Sequence, residues 1–167
     1  FLRIASSIEP VLQGSASLED RSEMLLGAAF SGLAIENSML GAAHASANPL
    51  TARFGMVHGH AVAVMLPHVL RFNYEEVGAR EIYDHYEELL ARRGYANMPL
   101  TSWVERQLES AELKSLEDSG VLASAIPGLA KDATQQWTGQ FNPRVMSEEG
   151  FVMLYEQALE SLTPSAT

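Results

Sequence analysis

Five histidines carry most of the chemistry this chain could perform: His44, His58, His60, His68 and His85. A neutral imidazole binds divalent metals and titrates near neutral pH. There is no cysteine, so thiolate metal sites, a cysteine nucleophile and disulfides are excluded. His44 and His58 are separated by a stretch long enough for a helix, a turn and a second helix, which can return them to one point. His60, two residues beyond His58, points to a different side of a helix. His68 lies about 15 Å further along a straight helix axis. Spacing therefore allows only a His44–His58 pair, and two histidines are not a complete catalytic metal site, which usually takes three or more protein ligands. His85, in a charged stretch, reads as a surface residue. His68, after Pro67 in an apolar helix, reads as packed and hydrogen-bonded.

The elements that must position these residues read as helices throughout, and the fold class is all-α. Phe1 to Leu12 has helical periodicity. Leu18 to Ala45 is helix-compatible as one long run, opened by Glu19 and Asp20. Its glycines suggest close backbone approach, since glycine costs about 1 kcal/mol in a helix interior. Helix packing accounts for Gly27 and Gly32, whereas Gly41, nearer the histidines, fits packing and ligand approach equally. Asn48-Pro49 is expected to end the run, because the residue before proline is pushed out of the α region. Residues 49–57 then form a loop containing Gly55. His58 to Phe72 is the next helix, bent or broken near Pro67. Glu75 to Arg93 is amphipathic and stops at Gly94, and Leu100 to Leu108 is a shorter helix. Ser124 to Pro127 opens a helix reaching about Trp137. Ser147-Glu148-Glu149 opens the last, through Leu159, and Pro164 to Thr167 reads as a frayed tail.

The composition, 47% hydrophobic and 19% charged over 167 residues, is that of an ordinary globular chain. It reads as one all-helical domain spanning 1–167. A net charge of −10 repels phosphate backbones and anionic lipid, which argues against nucleic-acid and membrane partners. No apolar run approaches the ~18 residues of a membrane span. No basic leader precedes an apolar stretch at the start, and lack of cysteine suits the reducing cytoplasm. Phe1 stands where an initiator methionine would, already in helical periodicity, so the chain is expected to be a fragment.

The segment Gly41-Ala42-Ala43-His44-Ala45-Ser46-Ala47-Asn48-Pro49-Leu50, continued by His58-Gly59-His60-Ala61-Val62-Ala63-Val64-Met65-Leu66-Pro67-His68-Val69, resembles the signature of the iron-containing (group III) alcohol dehydrogenases. In that pattern a histidine near the end of one helix is followed, fourteen residues later, by a histidine-glycine pair opening the next. Phe72-Asn73, Phe141-Asn142-Pro143-Arg144 and Tyr155 extend the resemblance over nearly the whole chain. It implies the helical, metal-binding C-terminal domain of the dehydroquinate synthase-like fold. It also implies an NAD(P)-linked oxidation of an alcohol, or reduction of an aldehyde or ketone. The family's divalent metal, usually Fe2+ and sometimes Zn2+, polarises the alcohol oxygen so that hydride can pass to the nicotinamide.

The resemblance assigns His44 and His58 as two of four metal ligands. The other two, an aspartate and a histidine four apart, belong upstream of Phe1, as does the N-terminal domain that binds NAD or NADP. Many members carry a histidine, proposed to relay a proton, where this chain has Asn48. An amide cannot titrate, so Asn48 would orient substrate or cofactor; a helix-ending cap before Pro49 is the equal alternative. Ile35, nine residues before His44, matches a substrate-pocket position, with core packing slightly preferred. The isolated chain is expected to bind metal weakly and to be inactive. Exposed apolar surface is expected where the first domain docks, with self-association as a consequence. Two further readings compete: a dehydroquinate synthase-like lyase domain, and a stand-alone helical interaction module.

Overall fold

The computed structural model describes residues 1–161, so the tail at 164–167 lies outside the described residues. Among those residues every regular element is helical. The helices are α1 (Leu2–Leu12), α2 (Leu18–Asn37), α3 (Ala42–Phe54), α4 (His58–Tyr74), α5 (Val77–Arg92), α6 (Leu100–Ser110), α7 (Ile126–Thr134) and α8 (Glu148–Ser161). Short 3-10 turns, Ala123–Ala125 and Trp137–Phe141, flank α7. The chain divides into two compact units. One comprises Phe1–Met39 and Val77–Glu112, the other Leu40–Glu76 and the chain from Leu113 onward.

In the first unit α1 packs along α2, and α5 and α6 join α1. Ser17 caps α2 reciprocally: its hydroxyl oxygen accepts from the Asp20 N–H at 3.1 Å, and its own N–H donates to the Asp20 carboxylate at 2.8 Å. A Cβ on Gly27 would stand 2.6 Å from Ile4 Cγ1, so glycine there is what lets α1 and α2 approach. Gly32 has open space around it, so packing does not account for it. The aromatic rings of Phe1, Tyr86 and Trp103 cluster, with centroids 4.6 and 5.7 Å from Phe1. Most of α2 remains bare. Leu25, Phe30 and Leu33 are each more than half exposed, and apolar residues occur all round the helix.

The second unit packs α3 against α4 and α7, and α8 against α4 and α7. Its core includes Leu50, Met65, Leu129, Phe151 and Leu154, each essentially inaccessible. Each such side chain contributes roughly 1.5–3 kcal/mol by leaving water. Ala42, Ala45 and Ala47 are fully buried too, and their small size lets the neighbouring helices sit close to α3.

Two sequence expectations fail here for physical reasons. The run Leu18 to Ala45 is two helices, broken at residues 38–41. A new helix starts at Ala42 because the Asn142 carboxamide oxygen accepts the Ala42 N–H at 3.2 Å and so caps it from a distant part of the chain. Gly41 lies tightly against the same side chain: a Cβ there would stand 3.1 Å from that oxygen, and Asn142 would have to give by a few tenths of an ångström. The second failure is at Asn48-Pro49, which does not end the helix. Residues 49–54 continue α3 until Gly55 closes it at φ +65°, its N–H bonding the Thr51 carbonyl at 3.1 Å. Proline removes the N–H that would reach the Ala45 carbonyl. The local penalty is overridden by burial of Pro49 and Leu50, and the adjacent Ser46 carbonyl accepts the Tyr155 hydroxyl at 2.7 Å. Burial holds Tyr155 well above its ordinary pKa, with the Asp132 charge acting the same way, so it remains a donor. Pro67 likewise lies inside an unbroken α4.

Candidate functional site

His44 sits in the first turn of α3, and His58 is the first residue of α4. The sequence reading placed His44 near a helix end; the break at 38–41 puts it near a helix start instead. The connection Gly55–Val57 brings the two imidazoles together, with ring centroids 5.4 Å apart and planes inclined at 50°. Ligand nitrogens about 2.1 Å from zinc place imidazole centroids roughly 3.2 Å from the ion, and tetrahedral coordination then separates two of them by about 5.2 Å. The observed separation suits two ligands of one tetrahedral centre. Among the described residues no third His, Cys, Asp or Glu joins them. His44 is partly buried and His58 exposed.

Desolvation, followed by the charge on His58, holds the His44 pKa below the ordinary imidazole value of 6.5. His44 therefore stays neutral, the form that ligates, at neutral pH. The unfolded chain protonates this imidazole more readily than the folded one. The resulting stability is intact above pH 6.5 and is lost as pH falls through the depressed folded value. Thermal unfolding between pH 7.5 and 5 should show a smaller acid-induced fall in Tm for His44→Gln than for the unsubstituted chain. Equal falls would refute the assignment.

Of the remaining histidines, His60 and His68 are committed elsewhere. His60 Nε2 lies 2.8 Å from the Lys114 carbonyl, which can only accept, so that nitrogen carries a proton. His68 is 3% exposed and faces an Arg71 guanidinium nitrogen at 3.3 Å, as a packed, bonded histidine should. His85 is exposed.

Asn48 lies one turn beyond His44 on the same face of α3. It is not a terminal cap: it is inside the helix, and its amide Nδ2 donates to Gln136 Oε1 at 2.9 Å. Gln136 lines a groove of about 420 Å³ together with Trp137, Gly139, Gln140 and Asn142. Ile35 lies on α2, not on the helix that carries His44, and is 40% exposed, so the preferred core-packing role fails.

Sequence reasoning quoted Asn73 and Asn142 only as pattern residues. Both are buried and bond each other twice, Asn142 Nδ2 to Asn73 Oδ1 at 2.6 Å and Asn73 Nδ2 to Asn142 Oδ1 at 3.1 Å. Asn142 also donates to the Arg144 carbonyl at 2.7 Å. Arg144 donates to the Phe72 carbonyl at 2.8 Å and stacks on the Phe72 ring at 4.0 Å. These residues hold the start of α3, and thus His44, against α4. Gln136 was not singled out, and a lone glutamine carries no signal that would have found it.

Residues 3–159 match the family model for the C-terminal part of the Fe-containing alcohol dehydrogenase family. The 1,3-propanediol dehydrogenase of Klebsiella pneumoniae is 26% identical over 162 residues, covering 93% of this chain and 41% of that protein. The lactaldehyde reductase of Escherichia coli (strain K12) is 30% identical over 141 residues, covering 81% of this chain and 37% of that protein. Among solved structures, an alcohol dehydrogenase from Oenococcus oeni superposes with a TM-score of 0.77 at 26% identity, over 93% of this chain and 42% of that one. A 1,3-propanediol oxidoreductase superposes with a TM-score of 0.76 at 25% identity, over 94% and 44%. The chain thus spans about two fifths of the length of the curated relatives it matches.

Proposed function

The chain belongs to the iron-containing alcohol dehydrogenase family as its C-terminal, all-helical part, and we propose that it supplies half of the metal site of an NAD(P)-linked alcohol dehydrogenase. The 5.4 Å approach of the His44 and His58 rings carries this reading. The two imidazoles would hold a divalent ion, Fe2+ or Zn2+, and the remaining ligands would come from upstream in the parent polypeptide. When bound, the ion supplies a Lewis acid that lowers the pKa of an alcohol oxygen. This chain's own part is to present two neutral nitrogens in fixed geometry and to orient the substrate through Asn48. Asn48 has no titratable proton, so it cannot itself relay the proton that the alcohol loses. The nicotinamide nucleotide would be bound by the N-terminal domain. The substrate would be a small alcohol or aldehyde, the compartment the cytoplasm, and the 167-residue chain alone inactive.

The test assays the full-length parent polypeptide, loaded with Fe(II) or Zn(II), against mono- and dialcohols with NAD and NADP. Reduced nucleotide should form with the full-length protein and not with the isolated chain. Failure of the metal-loaded parent to oxidise any alcohol would sink the reading.

A further inference from the structure

We propose that two copies of this chain pair through α2, antiparallel, about a two-fold axis that passes between Ala28 and Ala29. The pairing does not draw on the histidine site and stands or falls apart from it.

α1 covers only one side of α2, the side that carries Gly27. From Ala28 to Met39 every residue is exposed. Leu18, Ser22, Leu25, Ala29, Gly32 and Glu36 recur at spacings of four and three. They therefore line one side of the helix, away from Gly27, with Leu26 and Leu33 beside them. Leu18 is 82% exposed, Leu25 73% and Leu33 54%. At roughly 200 Å² for a fully open large apolar residue, the bare parts of these four leucines come to about 500 Å², and Phe30 and Met39 at the margins add about 200 Å² more. That is larger than the widest apolar patch of a typical monomer, about 300–600 Å². It is close to the share of one partner in a stable interface, about 800 Å².

Gly32 adds a second observation. Glycine is less favourable than alanine in a helix interior, yet a Cβ at Gly32 would meet nothing within 4 Å. The opening faces outward, where a second helix can cross closely.

One register then serves every pair of residues. Leu25 of one copy falls opposite Gly32 of the other, a large side chain over a missing one. Leu18 falls opposite Met39. Arg21 falls opposite Glu36, both exposed, so a cation faces an anion at each end of the seam. A parallel pair would set Arg21 beside Arg21 and Glu36 beside Glu36, and it would align the two helix macrodipoles. A surface that complements itself when turned end for end is what a two-fold interface requires.

Sedimentation equilibrium of the 167-residue chain tests the pairing. At about 50 μM the mass should be twice the 18.2 kDa of one chain. Leu25→Lys should raise the dimer dissociation constant about a hundredfold, because pairing would bury the new charge. Arg21→Glu should weaken pairing about tenfold, and Arg21→Glu combined with Glu36→Arg should restore it. Gly32→Ala should raise the Tm of the dilute monomer by about 3 °C while weakening the dimer. Circular dichroism checks that each variant is folded; should Leu25→Lys fail to fold, the charge exchange decides. A monomer at every concentration up to about 500 μM would overturn the proposal. So would a dimer indifferent to Leu25→Lys, or a charge exchange that restores nothing. In the full-length parent, a Leu25→Lys that lowers Tm without changing the sedimenting mass would give the face to the parent's own upstream chain, and would overturn it as well.

Discussion

Removing either imidazole, by His44→Ala or His58→Ala, should weaken divalent-metal binding in the full-length protein by two to three powers of ten. Structural zinc sites with four ligands yield roughly 10–16 kcal/mol, or about 3–4 kcal/mol per ligand. A factor of ten corresponds to about 1.4 kcal/mol. By the same arithmetic, the 167-residue chain with two imidazoles and no carboxylate keeps about half of that energy. Its dissociation constant for Zn(II) should lie in the micromolar to sub-millimolar range. His58→Ala is the cleaner variant, because His58 is exposed and its loss opens no cavity. Isothermal titration with Zn(II), with Co(II) absorption as a check on coordination number, gives both numbers. Nanomolar, stoichiometric uptake by the 167-residue chain would contradict the half-site account. So would an unchanged affinity in His58→Ala.

Asn142→Ala should be the most damaging substitution outside the histidine pair, costing about 3–4 kcal/mol. It deletes an amide that makes four hydrogen bonds, two with Asn73, one from Ala42 and one to Arg144. The Ala42 N–H and the Arg144 carbonyl then lose this bond and Asn73 loses two of its own, at roughly 1 kcal/mol each. Total stabilities of 5–15 kcal/mol make that a large fraction. Asn142→Asp is informative beside it: the shape is kept, but oxygen then faces the Asn73 and Arg144 oxygens where NH2 had been. It should cost nearly as much. Urea unfolding of the two variants measures the loss, and a cost below 1 kcal/mol would show that water replaces the amide. The damage should also reach metal binding, because Asn142 caps the helix on which His44 is the third residue.

That connection explains what could and could not be read in advance. The helical class and the limits of most helices follow from periodicity, which is local. The convergence of His44 and His58 was legible because a helix, a short turn and a second helix are enough to produce it. The break between α2 and α3 was not legible. The stretch Ser38-Met39-Leu40-Gly41 contains no proline, and what restarts the helix is an asparagine a hundred residues away in sequence. Placing Ile35 on the same helix as His44 failed for that reason. The opposite error occurred at Pro49, where a local rule predicted a stop and buried packing in the second unit overrode it. Gln136 stayed invisible because only the fold brings it to Asn48, 88 residues away in sequence.

The bare flank of α2 also bears on how the sequence can change over generations. Most surface helices carry a polar meridian along which substitutions pass unnoticed. α2 is nearly without one between Met24 and Ile35, where only small residues interrupt the hydrophobic ones. Wherever this surface lies against another, a lysine at Leu25, Phe30 or Leu33 would strand a charge away from water, and selection would remove it. In a lineage that no longer covers it, the same lysine would be harmless and soon common. The three positions thus act as a ledger of descent, in which creeping polarity would mark the loss of whatever once lay against them.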